Sequence, residues 1–538
     1  MIIRSAHTCR VIPTNVACKN SLGTTEFPET RHSNIRRFQN DFLFRQPTHL
    51  RLKFSHDLAR RILRSPIVWR TTGGGCMNAF ASRHAIIIGG GASGVLLAYQ
   101  LLQRSTPDFR ITLIEKRPEI GRGLAYHTGN PEHVLNVRVA NMSALPDDPD
   151  HFWRWLTSRE GVPPPCPDPY CFVPRRIYGD YIGSLLMMSK GRSLHRLSIV
   201  QGTCVDVSDE RSEVVVTLDD GRCYVGDIAV LATGHDIRSC SLGYVDPWLP
   251  PSAAGVDPEA TVLILGTGLT MVDYIQSLVH DGHRGPIVAM SRRGLLTKPH
   301  RRVDPIRIQE TEVPFGAGIS RLLRWLRGRV DAHVAGGGDW RSVIDGLRPY
   351  TQRLWRELPP ASKRRFLEHA RAWWDVHRHR MAPEVEERIT HALYDGRLTL
   401  EAAKVAGIEP NEFGARVRYR RRGQSEILSM QVGAIVDCTG IVKDPLASAN
   451  PAVRSLFDRG LARVDPLHIG IETSADCAIV NYGGVPSRRL FAVGPITRAA
   501  FWEIIAIPDI RNQCAELAAK LAHVSEASLA DLIAERPS

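Results

Sequence analysis

Short apolar runs that stop at glycine organise this chain. Ala85–Ile88, Ile228–Ala232, Thr261–Leu265, Ala434–Cys438 and Leu490–Val493 are each four to six residues long and end in a glycine-containing turn. Runs of that length, bounded by turn residues, read as buried strands. Two of them pass directly into helical patterning. The first runs through Gly89-Gly90-Gly91 into Val95–Leu102, and the second through Gly266-Thr267-Gly268 into Leu269–Ile275. A further strand follows each helix, at Ile111–Glu115 and Ile287–Ser291. Strand–turn–helix–strand, met twice, predicts an α/β protein with two Rossmann-like dinucleotide-binding domains. Between 318 and 395 the apolar period changes to that of helices, as in Ile319-Ser-Arg-Leu-Leu-Arg-Trp-Leu, and Asp339 stands where an N-cap belongs. The chain therefore divides into an extension (1–80), a first domain begun at 81–258 and resumed at 431–538, and a second domain (259–430) with a helical insertion (318–395). The longest apolar stretch, Ile86–Leu102, is interrupted by four glycines and a serine, so no membrane span is expected.

The two turns carry different chemistry. Gly89, Gly91 and Gly94 form G-x-G-x-x-G, with Ala92 and Ser93 opening the helix. The first glycine permits the turn, the second admits a pyrophosphate, and the third lets helix and strand pack closely. Glu115, followed by Lys116, ends the next strand 26 residues after Gly89, where an acid can accept hydrogen bonds from an adenosine ribose. The second unit has Gly266, Thr267, Gly268 and Leu269, with Met271 in place of the third glycine. At the same 26-residue offset it carries Ser291-Arg292-Arg293. A carboxylate suits a free 2′-hydroxyl, whereas paired guanidiniums suit a 2′-phosphate. The first site is read as taking FAD or NAD, and the second as taking NADPH, with NADH the alternative.

Two such units in one chain resemble the two-dinucleotide-binding-domain flavoproteins, FAD in the first and a nicotinamide in the second. Ile228-Ala-Val-Leu-Ala-Thr-Gly234 and Ala434-Ile-Val-Asp-Cys-Thr-Gly440 resemble that superfamily's crossings between domains. Leu490-Phe-Ala-Val-Gly494 resembles its turn beside the FAD ribityl chain, with Pro495 where Asp is usual. Gly121-Arg-Gly-Leu-Ala-Tyr126, Trp374-Asp-Val-His-Arg-His-Arg-Met-Ala-Pro383, Gly494-Pro-Ile-Thr-Arg498, Phe501-Trp-Glu and Ile507-Pro-Asp-Ile-Arg511 are similar to a bacterial FAD/NAD(P)-binding family that includes a FAD-dependent urate hydroxylase. The resemblance implies FAD, a reduced nicotinamide and a monooxygenase acting on a small, urate-type substrate with O2 through a flavin C4a-hydroperoxide. A flavin-dependent dehydrogenase or oxidase, or a flavin-bound redox sensor, is the alternative. Arg498, Trp502 and Glu503 are candidates for lining the flavin pocket; no catalytic base is assigned.

Composition narrows the remaining classes. The 69 Lys+Arg against 56 Asp+Glu give a net charge of +13, which invites a nucleic-acid reading. Thirteen Lys/Arg and four acids fall within residues 1–76, so nine of those charges sit in the extension and nucleic acid is not an expected partner. That extension is transit-like in composition and is read as an upstream start ahead of Met77, with the protein cytoplasmic. Eleven scattered cysteines without C-x-x-C are read as thiols in a reducing compartment. His377 and His379 lie two apart on a predicted helix, on different faces, so no metal site is expected. Oligomeric state is not legible from these features.

Overall fold

The computed structural model describes residues 83–159, 167–193, 195–210, 212–235, 243–440 and 444–523. The N-terminal extension lies outside the described residues. The described chain belongs to one unit, Ala81–Ser538.

The first sheet begins with β1 (His84–Ile88), α1 (Ala92–Arg104) and β2 (Arg110–Glu115). After α2 (His151–Thr157) and α3 (Arg175–Ser193), β3 (Leu197–Gln201) joins β2. A meander of β4 (Cys204–Asp209), β5 (Val214–Leu218) and β6 (Cys223–Gly226) leads to β7 (Ile228–Leu231), which returns to pair in parallel with β1 on its other edge. β1 is apolar at consecutive positions because both its faces are covered. Ala85 and Ile87 pack into the core that holds α1 and α3, while Ile86 and Ile88 pack into the core beneath the meander. Full burial of each isoleucine contributes about 1.5–3 kcal/mol.

The chain then builds a second sheet: β8 (Val262–Leu265), α4 (Leu269–His280) and β9 (Ile287–Ser291). Between β9 and the next strand come α5 (Ile319–Ala335), α6 (Trp340–Gly346), α7 (Thr351–Glu357), α8 (Pro360–Arg365), α9 (Arg371–Arg378) and α10 (Pro383–Tyr394). Asp339 caps α6 by accepting from the Arg341 N–H at 2.8 Å. The long β10 (Leu398–Asn411) pairs in parallel with β9 through Ala402, and from Ala403 in antiparallel with β11 (Gly414–Arg421), to which β12 (Leu428–Val432) adds. β13 (Ala434–Asp437) closes the order β12-β11-β10-β9-β8-β13. The sequence-based division at 430/431 falls inside β12, ahead of β13, which pairs with β8 in the same sheet.

The last segment, α11 (Pro451–Asp458), β14 (Ala478–Val480), β15 (Pro486–Ala492) and α12 (Ile507–His523), rejoins the first sheet. Its order is β14-β15-β7-β1-β2-β3, with only β14 antiparallel. Strand order reverses between β1 and β7 in this sheet and between β8 and β13 in the other. Those switch points open the crevices at the carboxyl ends of the strands where ligands of such sheets bind.

One sequence expectation fails on the cysteines. Cys204, Cys223, Cys438, Cys477 and Cys514 are free, but Cys171 is disulfide-bonded. Spacing along the chain does not reveal which sulfurs a fold brings within bonding distance.

Candidate functional site

At the end of β1 the backbone crosses β7 so closely that a side chain has no room. A Cβ on Gly89, whose φ is +110°, would stand 2.5 Å from the Ala232 carbonyl oxygen, and one on Gly94 would stand 1.9 Å from that of Gly89. Gly91 caps α1 with no side-chain hydrogen bond, and the first turn holds no acid. The N–H groups of Ala92, Ser93 and Gly94 are thus left as orphan donors, the arrangement that receives a pyrophosphate. Glu115 is buried at the end of β2 and fixed across the turn. Its carboxylate accepts from the Gly90 N–H at 2.7 Å and the Arg117 N–H at 3.0 Å, leaving acceptor capacity for a ribose. Lys116, beside it, is exposed.

The sequence reading gives Gly121, Gly123 and Gln513 no place in this crevice. Gly121 donates to the Gly90 carbonyl at 2.7 Å, and Gly123 comes close enough to Gly91 that a Cβ would lie 3.3 Å from its Cα. The Gly121–Tyr126 block therefore walls the glycine turn. On the other side, Gly494 (φ +75°) leans on α1 so tightly that a Cβ would meet Ser93 Oγ at 2.3 Å. Its N–H donates to Gln513 Oε1 at 2.7 Å, and Gln513 Nε2 donates to Thr497 Oγ1 at 3.0 Å. Gln513 on α12 thus fixes the turn that holds Pro495. Glu115, the α1 N-terminus and Gly494 line one crevice, and their donors and acceptors fit the ribose and pyrophosphate of FAD. Gly234, past β7, has open space where its Cβ would be.

The second turn repeats the close approach, with a Cβ on Gly266 falling 2.4 Å from the Cys438 carbonyl oxygen of the strand beside it. Gly268 caps α4 without a side-chain bond, Leu269 opens the helix, and Met271 is fully buried in the core behind it. The Thr267 hydroxyl donates to the Leu295 carbonyl at 2.6 Å, and Ser291 Oγ accepts from the Gly294 N–H at 3.0 Å. Ser291 therefore shapes the loop after β9. Arg292 is exposed, and Arg293 Nη2 donates to the His369 carbonyl at 3.1 Å. Burial first, then the charges of Arg292 and Arg422, lower the pKa of Arg293. Arg422 follows β11 and is missed by the sequence reading, because only the β10–β11 pairing brings it here. Among the described residues no carboxylate forms a salt bridge to Arg292, Arg293 or Arg422.

The three candidates after Gly494 part company. Trp502 stacks on Trp355 of α7, with ring centroids 4.5 Å apart, and meets Phe366 edge-on. With Leu322, Leu326 and Trp374 these rings line an apolar cavity of about 60 Å³. Glu503, buried and at φ +64°, accepts from Trp374 Nε1 and, at 3.0 Å, from Arg378 Nε. Burial alone would raise Glu503, but Arg378, His379, Trp374 and Arg348 together hold its carboxyl below the usual range. His379 lies toward this cluster while His377 packs edge-on to Trp340, so the two histidines face apart. Arg498 instead turns to the loop ahead of β14, its Nε donating to the Ile469 carbonyl. It shares a cavity of about 50 Å³ with Thr233, Gly234, His235, Ser448 and Asn450. Burial, then the Arg498 charge, lowers His235 to about 4.

Residues 86–236 match a family model described as FAD-NAD(P)-binding. In Escherichia coli strain K12 the uncharacterized protein YdhS is 28% identical over 205 residues, which are 35% of this chain and 38% of that protein. The match thus spans well under half the length of that curated relative. An ornithine hydroxylase from Pseudomonas aeruginosa is similar in structure, with TM-score 0.52 and 13% identity, over 82% of this chain and 98% of that one. So is an L-lysine 6-monooxygenase from Pseudomonas syringae, with TM-score 0.53 and 16% identity, over 81% and 98%. An ornithine N-hydroxylase from Kutzneria sp. 744 gives 0.53 and 14%, over 82% and 99%. At such identities the likeness is one of fold: the chain has the architecture of these flavoproteins, and its first nucleotide unit is a FAD-NAD(P)-binding domain.

Proposed function

We propose that the protein is a FAD-dependent, NADPH-consuming monooxygenase of a small molecule. The observation that carries the reading is the contrast between the two crevices: a buried carboxylate, Glu115, at the first, and the guanidiniums of Arg292, Arg293 and Arg422 at the second. Gly89, Gly91, Ala92, Ser93, Gly94, Glu115, Lys116, Gly234 and Gly494 would hold FAD. Gly266, Thr267, Gly268, Leu269, Ser291, Arg292 and Arg293 would hold NADPH, with Arg422 completing the 2′-phosphate contact. The chemistry supplied by bound FAD is acceptance of a hydride and activation of dioxygen. The chain's part is to orient both nucleotides and to keep water out. The wall of Trp355, Phe366, Trp374 and Trp502 suits the second task, because a dry site strengthens every electrostatic contact inside it. The solved neighbours hydroxylate ornithine and lysine, and the family resemblance adds urate; these compounds head the substrate panel.

The test is NADPH and NADH oxidation by purified yellow protein, with and without that panel. Substrate-stimulated NADPH oxidation with a hydroxylated product supports the reading. Hydrogen peroxide as the only product across the panel favours an oxidase or a redox sensor. Neutral replacement of Arg292 and Arg293 should weaken NADPH by about 1–3 kcal/mol, the scale of hydrogen bonds to charged groups, and leave NADH nearly unchanged. Equal losses for both nucleotides would remove the phosphate assignment.

A further inference from the structure

Every second residue of β11 sets a guanidinium on the open face of the second sheet. The strand reads Gly-Ala-Arg-Val-Arg-Tyr-Arg-Arg, with period two. Ala415, Val417 and Tyr419 are buried in the core on one side, so Arg416, Arg418 and Arg420 stand on the other, all exposed. Lys404 of β10 lies directly opposite Arg420. On the other flank Ser429 and Gln431 of β12 face Arg418 and Arg416. Among the described residues Glu409 is the one carboxylate that β10 or β12 places on this face, opposite Arg416 and paired with Arg418 at 3.1 Å. Like charges directly opposite one another destabilise a strand pair, so sheet pairing does not account for the row. Nor does overall basicity: of the net +13, nine charges sit in residues 1–76, leaving +4 for the rest of the chain.

The row ends at the second crevice. Past the last residue of β11, the Arg422 N–H donates to the Ala402 carbonyl at 2.7 Å, and Ala402 pairs with Ser291 of β9. Arg422, Ala402 and Ser291 thus form one line across the sheet, and Arg292 and Arg293 follow Ser291 directly. Alternate residues of a strand lie about 7 Å apart, so the row from Arg416 to Arg422 is about 20 Å long. Each step is shorter than the screening length of about 8 Å at physiological salt, so neighbouring fields merge into one positive track.

We propose that the Arg416–Arg422 row is an electrostatic guide that draws the nicotinamide nucleotide along the sheet face and speeds its entry into the second crevice. The inference rests on the NADPH reading of that crevice. NADPH carries an anionic pyrophosphate and a 2′-phosphate worth about −1.5 to −2 by itself, whereas NADH has only the pyrophosphate and is drawn less strongly. Charges at the rim act on the approaching ligand: they change its association rate and the salt dependence of that rate, and leave dissociation nearly alone.

The experiment is stopped-flow association of NADPH and NADH with the purified full chain at ionic strengths of about 20 mM and about 500 mM. It compares wild type with Arg416→Gln/Arg420→Gln and with the charge-reversed Arg416→Glu/Arg420→Glu. At low salt the neutral variant should take up NADPH about threefold more slowly and the reversed one about tenfold, with NADH slowed less in each. Dissociation rates should stay within about twofold of wild type, and the three proteins should converge at high salt. Both positions are exposed, and a glutamate at 420 gains a favourable partner in Lys404, so Tm should hold. A reversed variant that binds at the wild-type rate at low salt, or a change confined to dissociation, overturns the inference and leaves the NADPH reading standing. A wild-type protein that binds NADPH no better than NADH overturns both. Should the reversed variant lose its fold, the neutral one decides, since an unchanged low-salt rate there is refuting.

Discussion

Replacing Glu503 by glutamine should loosen the insertion from the C-terminal segment. The carboxylate is 5% exposed and the Arg378 side chain 12%, with 3.0 Å between Oε2 and Nε. Glutamine keeps the shape and can still accept from Trp374 Nε1, so the change removes a charge and little else. Two unit charges at 4 Å interact by about 4 kcal/mol at an effective dielectric of 20, and breaking one side of a buried pair costs about 3–5 kcal/mol. Asp509, which also lies within the field of Arg378, offsets part of that loss, so the lower end, about 3 kcal/mol, is expected. For a unit of about 450 residues unfolding near 60 °C, this is a fall of about 3 °C in Tm. Glu503 has its pKa lowered by folding, so its stabilisation is present above the unfolded value of about 4.3 and is lost as pH falls through the folded one. Scanning calorimetry of wild type and Glu503→Gln at pH 7 and pH 3.5 should therefore show a gap that narrows in acid. Arg378→Met in the Glu503→Gln background should restore part of the loss, because no unpaired charge then stays buried. A Tm within 0.5 °C of wild type at pH 7, or a gap of the same size at both pH values, would refute the reasoning.

Gly494→Ala should cut FAD occupancy severalfold with little change at the second crevice, read as the flavin absorbance ratio alongside NADPH affinity; full occupancy would contradict the tight contact with Ser93. His300, half-buried and donating through Nε2 to the Asn136 carbonyl at 3.0 Å, has its pKa lowered to about 4 by desolvation, then by the Arg380 charge. The unfolded chain thus binds this proton first, and stability should decline as pH falls from about 6.5 toward 4. His300→Gln should flatten that part of a denaturation–pH profile, and an unchanged slope would count against the assignment.

Both glycine turns were legible because their physics is local. Gly89, Gly94 and Gly266 are needed where backbone meets backbone within van der Waals distance, and a strand and helix a few residues away frame each one. The contrast of Glu115 with Ser291-Arg292-Arg293 was legible for the same reason. Arg422 was not, since its approach to Arg293 exists only once β10 turns from β9 to β11. Gln513 was hidden similarly: nothing in α12 shows that one amide will fix the Gly494 turn. Trp502 and Glu503 stood next to a recognisable motif and were read toward the flavin, yet their side chains meet Trp355, Trp374 and Arg378 of the insertion.

The placement of the helical insertion bears on how freely it can vary. Residues 292–397 leave the carboxyl end of β9 and re-enter at the amino end of its parallel neighbour, β10, so their ends are held one strand length, about 13 Å, apart whatever lies between. Lengthening or recasting that segment asks nothing of sheet register, and closure entropy grows only slowly with length. The nucleotide sheets can thus stay constant while the wall presented to Trp502 is exchanged wholesale. That wall and the two glycine turns are, in this chain, separately replaceable parts of the fold.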